Sequence, residues 1–102
     1  MIGRSGGDSL QAHDCPPRFI RFMLFFVYVL RSLRDGLRYI GLTSDVPERV
    51  AEHNAGKVKS TKSRRPFKLV YQESFNDRSK AREREKYFKT APGRRWLDAH
   101  GY

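Results

Sequence analysis

The stretch RYIGLTSDVPERVAEHN, residues 38–54, changes at its centre from a strand-like to a helix-like pattern. Its first six residues include the branched and aromatic side chains that favour strands. Asp45 then stands three residues before Glu48, with a proline between them, which is typical of the first turn of a helix. The sequence therefore predicts a strand followed by a helix over residues 46–54 that ends at an Ala-Gly pair.

A β-hairpin is predicted immediately upstream. The segments LFFVYVLR, residues 24–31, and LRYIGLT, residues 37–43, are rich in aromatic and branched residues. Between them lies Asp35-Gly36, a dipeptide favoured in the tight turns of hairpins. The second hairpin strand is thus the strand that leads into the helix.

The remaining elements are predicted from the segments that follow. GKVKSTKSRRPFK, residues 56–68, has six basic residues and no acidic one, and is predicted to be an exposed loop. FKLVYQESF, residues 67–75, alternates as a strand does, and NDRSKAREREKYFKT is a charged helix with Asn76 or Asp77 as its N-cap. The end of the chain is expected to break at Pro92-Gly93 and then form a short helix. The fold class is α/β (α+β): a small sandwich with a three-stranded antiparallel sheet flanked by helices, in the order ββαβαα.

The first 22 residues differ from the rest of the chain. They mix Gly, Ser, Asp and a Pro-Pro pair without periodicity, so residues 1–22 are expected to be a disordered or dispensable extension and residues 23–102 the functional domain. The single cysteine, Cys15, cannot form an internal disulfide, which favours a reducing cytoplasm. The apolar run at 23–30 is much shorter than the ~20 residues that a membrane helix needs.

The charge balance of the chain is strongly basic. There are 21 Lys and Arg against 11 Asp and Glu, for a formal net charge of +10. Such an excess in a compact domain indicates a polyanionic partner, usually nucleic acid. A basic ribosomal protein or a membrane-surface protein would have a similar balance, so charge alone does not choose between these classes.

Two of the predicted helices carry ionic side chains on their apolar faces. Helical spacing places Arg49 and His53 on the apolar face of the first helix, and Glu85 on that of the next, whereas Glu83 points outward. A carboxylate near an apolar face is costly unless it is paired or bound to a cation. One explanation is a structural Arg49–Glu85 ion pair with His53 hydrogen-bonded beside it. The other is a functional cleft.

Two strand tyrosines bear on the same choice. Tyr28 and Tyr39 are ordinary core residues by pattern, yet they can project from one sheet face if the hairpin register allows. They would then lie next to the inward faces of the helices. Core packing and a shared cleft both remain open from these residues alone.

These residues together resemble a known family. Phe26-Val27-Tyr28 and Tyr39-Ile40-Gly41 correspond to the two motifs of the GIY-YIG nuclease superfamily, and Arg49, His53 and Glu85 fall at its further positions. The chain is similar to the small single-domain bacterial members, and to the catalytic domain of the excision-repair endonuclease. Two positions depart from the pattern: Phe26 replaces the glycine of the first motif, and Leu42 stands where the excision-repair domain has a lysine.

The resemblance implies a role for each of these positions. Glu85 would hold one divalent ion, Mg²⁺ or Mn²⁺, with most other ligands being water. Arg49 would clamp the scissile phosphate. Tyr28 would activate the attacking water if nearby cations lowered its pKa from about 10, and Tyr39 and His53 would position water or phosphate. The glycine of the second motif is expected to allow a close approach of the backbone to DNA or a tight turn into the helix.

The basic loop has a functional and a plain interpretation. As a backbone-gripping element it would contact DNA through Lys57, Lys59, Lys62, Arg64, Arg65 and Lys68. As a solvated loop it would contact nothing. No set of Asn, Gln and Arg on a recognition helix is present to read base edges, so low sequence specificity is predicted.

The resemblance thus implies a metal-dependent DNA endonuclease, with DNA repair or recombination as its setting and a protein partner as a possible source of targeting. Two other hypotheses remain. One is a nucleic-acid-binding module of the same fold without efficient cleavage. The other is a basic structural protein of a ribonucleoprotein, for which metal would have no effect.

Overall fold

The computed structural model describes residues 24–102, so the predicted extension at residues 1–22 lies outside the described residues. The elements are β1 (Phe25–Ser32), β2 (Arg38–Thr43), α1 (Val46–Asn54), β3 (Phe67–Phe75), α2 (Arg78–Phe88) and α3 (Ala91–Ala99). The predicted α+β fold and its order ββαβαα are confirmed. One short element was not predicted, a 3₁₀ turn over Lys62–Arg64 inside the basic loop.

The three strands form one antiparallel sheet in the order β2-β1-β3. The central strand β1 has neighbours on both sides and is covered on both faces, so residues 26–30 are all buried. This position explains why its sequence is almost continuously apolar instead of alternating. Strand β2 forms one edge of the sheet.

Each face of the sheet packs on a different helix layer. On one face, Val46 and Val50 of α1 pack against Phe26, Tyr28 and Leu30 of β1. On the other face, α2 and α3 contribute a buried cluster with the strands, made of Val27, Val29, Ile40, Ala81, Phe88 and Leu97. The helix that carries Arg49 and the helix that carries Glu85 therefore lie on opposite faces of the sheet.

The predicted turns and helix starts follow local chemistry. Gly36 has a φ of 74°, the left-handed conformation that the hairpin turn requires. Asp45 caps α1 by accepting from the Glu48 N–H at 3.1 Å, while its own N–H donates to Thr43 Oγ1. Asp77, of the two candidates, caps α2.

The break expected at Pro92-Gly93 is wrong. Helix α3 already begins at Ala91, so both residues lie in its first turn, and Thr90 is the N-cap. Proline is tolerated there because the first backbone N–H groups of a helix have no partner inside the helix. Gly93 is buried at the point where α3 passes the backbone of Tyr87 and Phe88, which leaves no room for a Cβ.

In residues 24–102, none of the helices has both the length and the apolar character needed to cross a lipid bilayer.

Candidate functional site

The centre of the candidate site is a buried contact between Tyr28 of β1 and His53 of α1. Tyr28 Oη lies 3.0 Å from His53 Nε2, and the two residues are 1% and 0% exposed. Tyr39 lies beside both: its ring centroid is 4.8 Å from that of His53 and 6.3 Å from that of Tyr28. The hairpin register, with Leu30 opposite Tyr39, places both tyrosines on the α1 face, as the sequence allowed.

Gly41 makes room for this arrangement. It lies opposite Tyr28 in the β1–β2 pair, and the Tyr28 ring extends across it. A Cβ at this position would overlap Tyr28 Cζ and Oη and lie 2.7 Å from Cε1. The expectation of a tight turn at Gly41 is wrong, because the residue sits inside β2 and the helix begins only at Val46.

Thr61 is a site residue that the sequence did not reveal. It is 1% exposed, and its Oγ1 lies 2.8 Å from His53 Nδ1. Both ring nitrogens of His53 are therefore bonded to buried hydroxyl groups. A threonine among lysines in a predicted loop carries no local signal of burial, since its contact depends on the path by which the loop returns over α1.

Arg49 lies at the solvent-facing side of this centre. Its Nη1 forms an ion pair with Glu52 Oε1 at 2.9 Å, and its side chain is 37% exposed. The Glu52 carboxylate, with a smaller effect from the nearby Tyr28 hydroxyl, raises the pKa of Arg49, and Arg49 in turn acts to lower the pKa of Tyr28. The proposed Arg49–Glu85 ion pair is wrong, because each residue pairs with a neighbour on its own helix.

Burial sets the protonation states at the centre. Desolvation raises the pKa of Tyr28 to about 12, and the opposing effect of Arg49 does not overcome it. The condition under which Tyr28 alone could act as the base, a pKa lowered by nearby cations, is therefore not met. Desolvation, reinforced by the positive charge of Arg49, lowers the pKa of His53, so the imidazole is neutral at neutral pH.

Glu85 lies on α2, beyond the sheet from His53. Its side chain is 14% exposed, and its Oε2 accepts from Lys89 Nζ at 3.0 Å. Its negative charge also contributes to the raised pKa of Tyr28, so the two groups interact electrostatically without touching. The prediction that Glu85 faces inward and Glu83 outward is confirmed.

The available donors limit which metal ion could bind near Glu85. Within the described residues, no group of three or more His, Cys, Asp and Glu side chains is close enough to hold a cation together. A cation at Glu85 would therefore have a single carboxylate from the protein and would have to replace Lys89 as the partner of that carboxylate. Mg²⁺ suits such a position, because it keeps several waters and often binds through one or two carboxylates, whereas zinc normally needs three or four protein ligands.

The basic residues of the loop at residues 56–68 do not all line the same surface. Lys59, Lys62 and Arg65 line an open recess of about 450 Å³ together with Ser63 and Arg34 of the hairpin, which the sequence did not single out. Arg64 is instead held by Asp35 at 2.8 Å and by the Arg38 carbonyl at 3.2 Å. Lys57 and Lys68 are exposed and lie outside the residues lining this recess.

A second recess, of about 410 Å³, lies beside β2 and α2. Its basic lining residues are Arg31, Arg38, Lys89 and Arg94, and its apolar ones include Tyr39, Ile40 and Phe88. Tyr39 contacts His53 and also lines this recess. One recess is thus lined by neighbours of Thr61 and the other by Tyr39, so both adjoin the residues that contact His53.

The sequence of the chain is similar to those of known proteins. The GIY-YIG catalytic domain family model matches residues 24–96. A UPF0213 protein of Staphylococcus haemolyticus is 48% identical over 66 residues, which cover 64% of this chain and 79% of that protein. One from Listeria welshimeri is 49% identical over 65 residues, covering 63% and 71%. The solution NMR structure of a UPF0213 protein from Bacillus halodurans matches with a TM-score of 0.48 and 33% identity, covering 78% of this chain and 86% of that one.

Proposed function

The chain belongs to the GIY-YIG catalytic domain family, and on that premise we propose that it is a divalent-metal-dependent endonuclease that hydrolyses DNA phosphodiester bonds. The observation that carries the proposal is the buried bond from Tyr28 Oη to His53 Nε2, with the Arg49 guanidinium beside it. A neutral imidazole next to a hydroxyl and a permanent cation provides a proton acceptor and a phosphate-binding group at one point.

The protonation states favour a concerted transfer of two protons. A water oxygen bonds to phosphorus while the bond from phosphorus to the leaving oxygen breaks. The water loses a proton to Tyr28 Oη as Tyr28 passes its own proton to His53 Nε2, and the leaving oxygen takes a proton from solvent. Because the pKa of Tyr28 is about 12, free phenolate is scarce at neutral pH, and the neutral imidazole is the effective base.

Arg49 binds the phosphate in this scheme. Its guanidinium offers a planar fork to two phosphate oxygens, in exchange for its exposed pair with Glu52. Glu85 would hold one Mg²⁺ or Mn²⁺, which when bound stabilises the negative charge on the phosphate and the leaving oxygen. Tyr39, in contact with His53 and exposed to the second recess, would orient the water or the phosphate.

The two basic recesses support DNA as the polyanion. We propose that a strand passes across the β2 edge, with phosphates near Lys59, Lys62 and Arg65 on one side and the second recess on the other. Arg64 would have to exchange its pair with Asp35 to contact a phosphate, as Arg49 would exchange its pair with Glu52. Contacts to phosphate carry no base information, which favours low sequence specificity and a role for a protein partner in targeting.

The cellular setting is part of the same proposal. The similarity to the excision-repair catalytic domain favours DNA repair or recombination, in the cytoplasm of a bacterium. Residues 23–102 would be the nuclease domain, and residues 1–22 would be dispensable for it.

The decisive experiment is cleavage of plasmid and branched DNA at low salt with Mg²⁺ or Mn²⁺, comparing wild type, Glu85→Gln and Glu83→Gln. We expect metal-dependent nicking by wild type and by Glu83→Gln, whose side chain is exposed on the same helix. Glu85→Gln should lose nicking and keep its affinity for DNA. Equal nicking by all three proteins would show that Glu85 is not the metal ligand.

A second candidate, a DNA-binding module without efficient cleavage, is favoured by the Lys89 bond to Glu85. That ammonium group occupies the carboxylate that the metal needs. This candidate would be supported if wild type bound DNA but nicked no substrate with either Mg²⁺ or Mn²⁺. That result would contradict the proposed endonuclease activity.

A further inference from the structure

Thr61 connects the basic loop to the catalytic centre. It directly precedes the 3₁₀ turn over Lys62–Arg64, and Lys62 and Lys59 on either side of it line the first recess. Its hydroxyl is buried against His53 Nδ1 at 2.8 Å, and it also lies 3.4 Å from the Val58 carbonyl. The Thr61 hydroxyl carries one proton, so it can donate to only one of these two partners at a time.

The direction of each hydrogen bond follows from what each partner can do. The Val58 carbonyl only accepts, so it takes the Thr61 hydroxyl proton and leaves the Thr61 lone pairs to His53 Nδ1. The nearby Arg49 guanidinium can only donate, so it cannot receive the proton of the Tyr28 hydroxyl. The Tyr28 proton can therefore go to His53, whose Nε2 lies 3.0 Å from Tyr28 Oη, and this requires Nε2 to be bare.

We propose that Thr61 is a positioning residue: its hydroxyl accepts the Nδ1–H of His53 and so keeps Nε2 free to take the proton of Tyr28. Neutral histidine carries one ring proton, and the partner of one nitrogen decides which nitrogen holds it. In the opposite tautomer, Nε2–H would donate to Tyr28 Oη, and neither His53 nor the Arg49 guanidinium could receive the Tyr28 proton. The catalytic consequence rests on the proposed function, whereas the tautomer itself does not.

The position of Thr61 also ties the proton acceptor to the DNA-binding loop. Thr61 and the flanking lysines belong to one short turn, in which the Thr61 N–H donates to the Val58 carbonyl at 3.1 Å. Phosphate bound by Lys59 and Lys62 would hold this turn in place, and with it the orientation of His53.

The first test is ¹⁵N NMR of the histidine rings of the wild-type protein at about pH 8, without DNA or metal. Two-bond ¹⁵N–¹H correlations identify the protonated nitrogen of each ring, and His13→Gln and His100→Gln variants assign the signals. We expect His53 to be protonated at Nδ1 and bare at Nε2. Protonation at Nε2 would overturn the proposal, whether or not the protein cleaves DNA.

The second test compares Thr61→Val, which keeps the shape of the side chain, with Thr61→Ser, which keeps the hydroxyl. Thr61→Val should lose the dominance of the Nδ1–H tautomer and lower kcat for DNA nicking about tenfold, the effect of one buried hydrogen bond, with KM unchanged. Thr61→Ser should keep the tautomer and remain within about twofold of wild type. A Thr61→Val protein with the wild-type tautomer and kcat would overturn the proposal.

The two tests separate the role of Thr61 from the proposed function. If Thr61→Val does not fold, the wild-type and Thr61→Ser spectra still decide, since a loss of the Nδ1–H tautomer in Thr61→Ser contradicts the role of the hydroxyl. If the spectra are as expected and wild type cleaves no DNA, the endonuclease is wrong and the positioning of His53 by Thr61 stands.

Discussion

Replacing Gly41 with alanine should damage both the stability and the activity of this domain. The added Cβ would overlap Cζ and Oη of Tyr28, whose ring is fully buried between β2 and α1. A rigid aromatic ring cannot yield as the end of a flexible side chain can, so it must shift as a whole. The shift would also break the bond from Tyr28 to His53 Nε2.

The size of the effect follows from these two losses. Overpacking of a core costs about 1–3 kcal/mol, and losing one buried hydrogen bond adds about 1 kcal/mol. Together they lower the free energy of unfolding by roughly 2–4 kcal/mol, which corresponds to a fall in Tm of roughly 10–30 °C for a domain of this size. DNA nicking should be lost even at temperatures where the variant is folded.

Thermal and urea unfolding followed by circular dichroism measure the change, and a double-mutant cycle identifies its cause. Gly41→Ala should cost far less in a Tyr28→Leu background, where the ring is absent. Gly36→Ala is the matched glycine control, because its φ of 74° is strained for alanine while nothing lies within 4 Å of the new Cβ. If Gly41→Ala lowered Tm by no more than Gly36→Ala, the overlap with Tyr28 would not be what requires a glycine.

Three further predictions concern the charges around the centre. Lys89→Met should tighten Mn²⁺ binding several-fold in calorimetry, because the ammonium no longer competes for Glu85, whereas Lys86→Ala, exposed on the same helix, should leave it unchanged. The free energy of unfolding should fall as pH drops below about 6.5, since the unfolded chain then binds a proton that buried His53, with its lowered pKa, does not. His53→Gln should remove that part of the pH dependence, and an unchanged slope would refute the assignment. Lys62→Ala should reduce the slope of log affinity for duplex DNA against log salt by about one, while the Lys86→Ala slope stays at the wild-type value.

The turn and the helix ends were predictable because each depends only on residues that are close in the sequence. The Asp-Gly turn requires one glycine at positive φ, and the first helix carries its cap at Asp45 and its stop at Gly56, with a φ of 79°. The burial of the Arg49–His53 face and the inward position of Glu85 also follow from helical spacing alone. Such features need no knowledge of how the elements pack.

The pairing of ionic groups was not predictable in the same way. Helical spacing assigns both Arg49 and Glu85 to the sheet-facing sides of their helices, yet the two helices cover opposite faces of the sheet. Spacing along a helix does not say which face the helix covers. Each residue instead pairs with a residue one turn away, Glu52 and Lys89. Thr61 was not predictable for the same reason, since its contact with His53 depends on the tertiary path of a loop.

Core packing and a chemical role for Tyr28 do not exclude each other in this fold. The same burial that makes Tyr28 part of the α1-side core raises its pKa to about 12, and so removes it as an independent base. That burial also lowers the pKa of His53, which keeps the imidazole neutral and able to accept the proton that Tyr28 cannot give to water. A Tyr28→Phe variant should therefore stay folded while losing DNA nicking. Its ring would still cover Gly41, but His53 Nε2 would have lost the hydroxyl that, in the proposed mechanism, connects it to the attacking water.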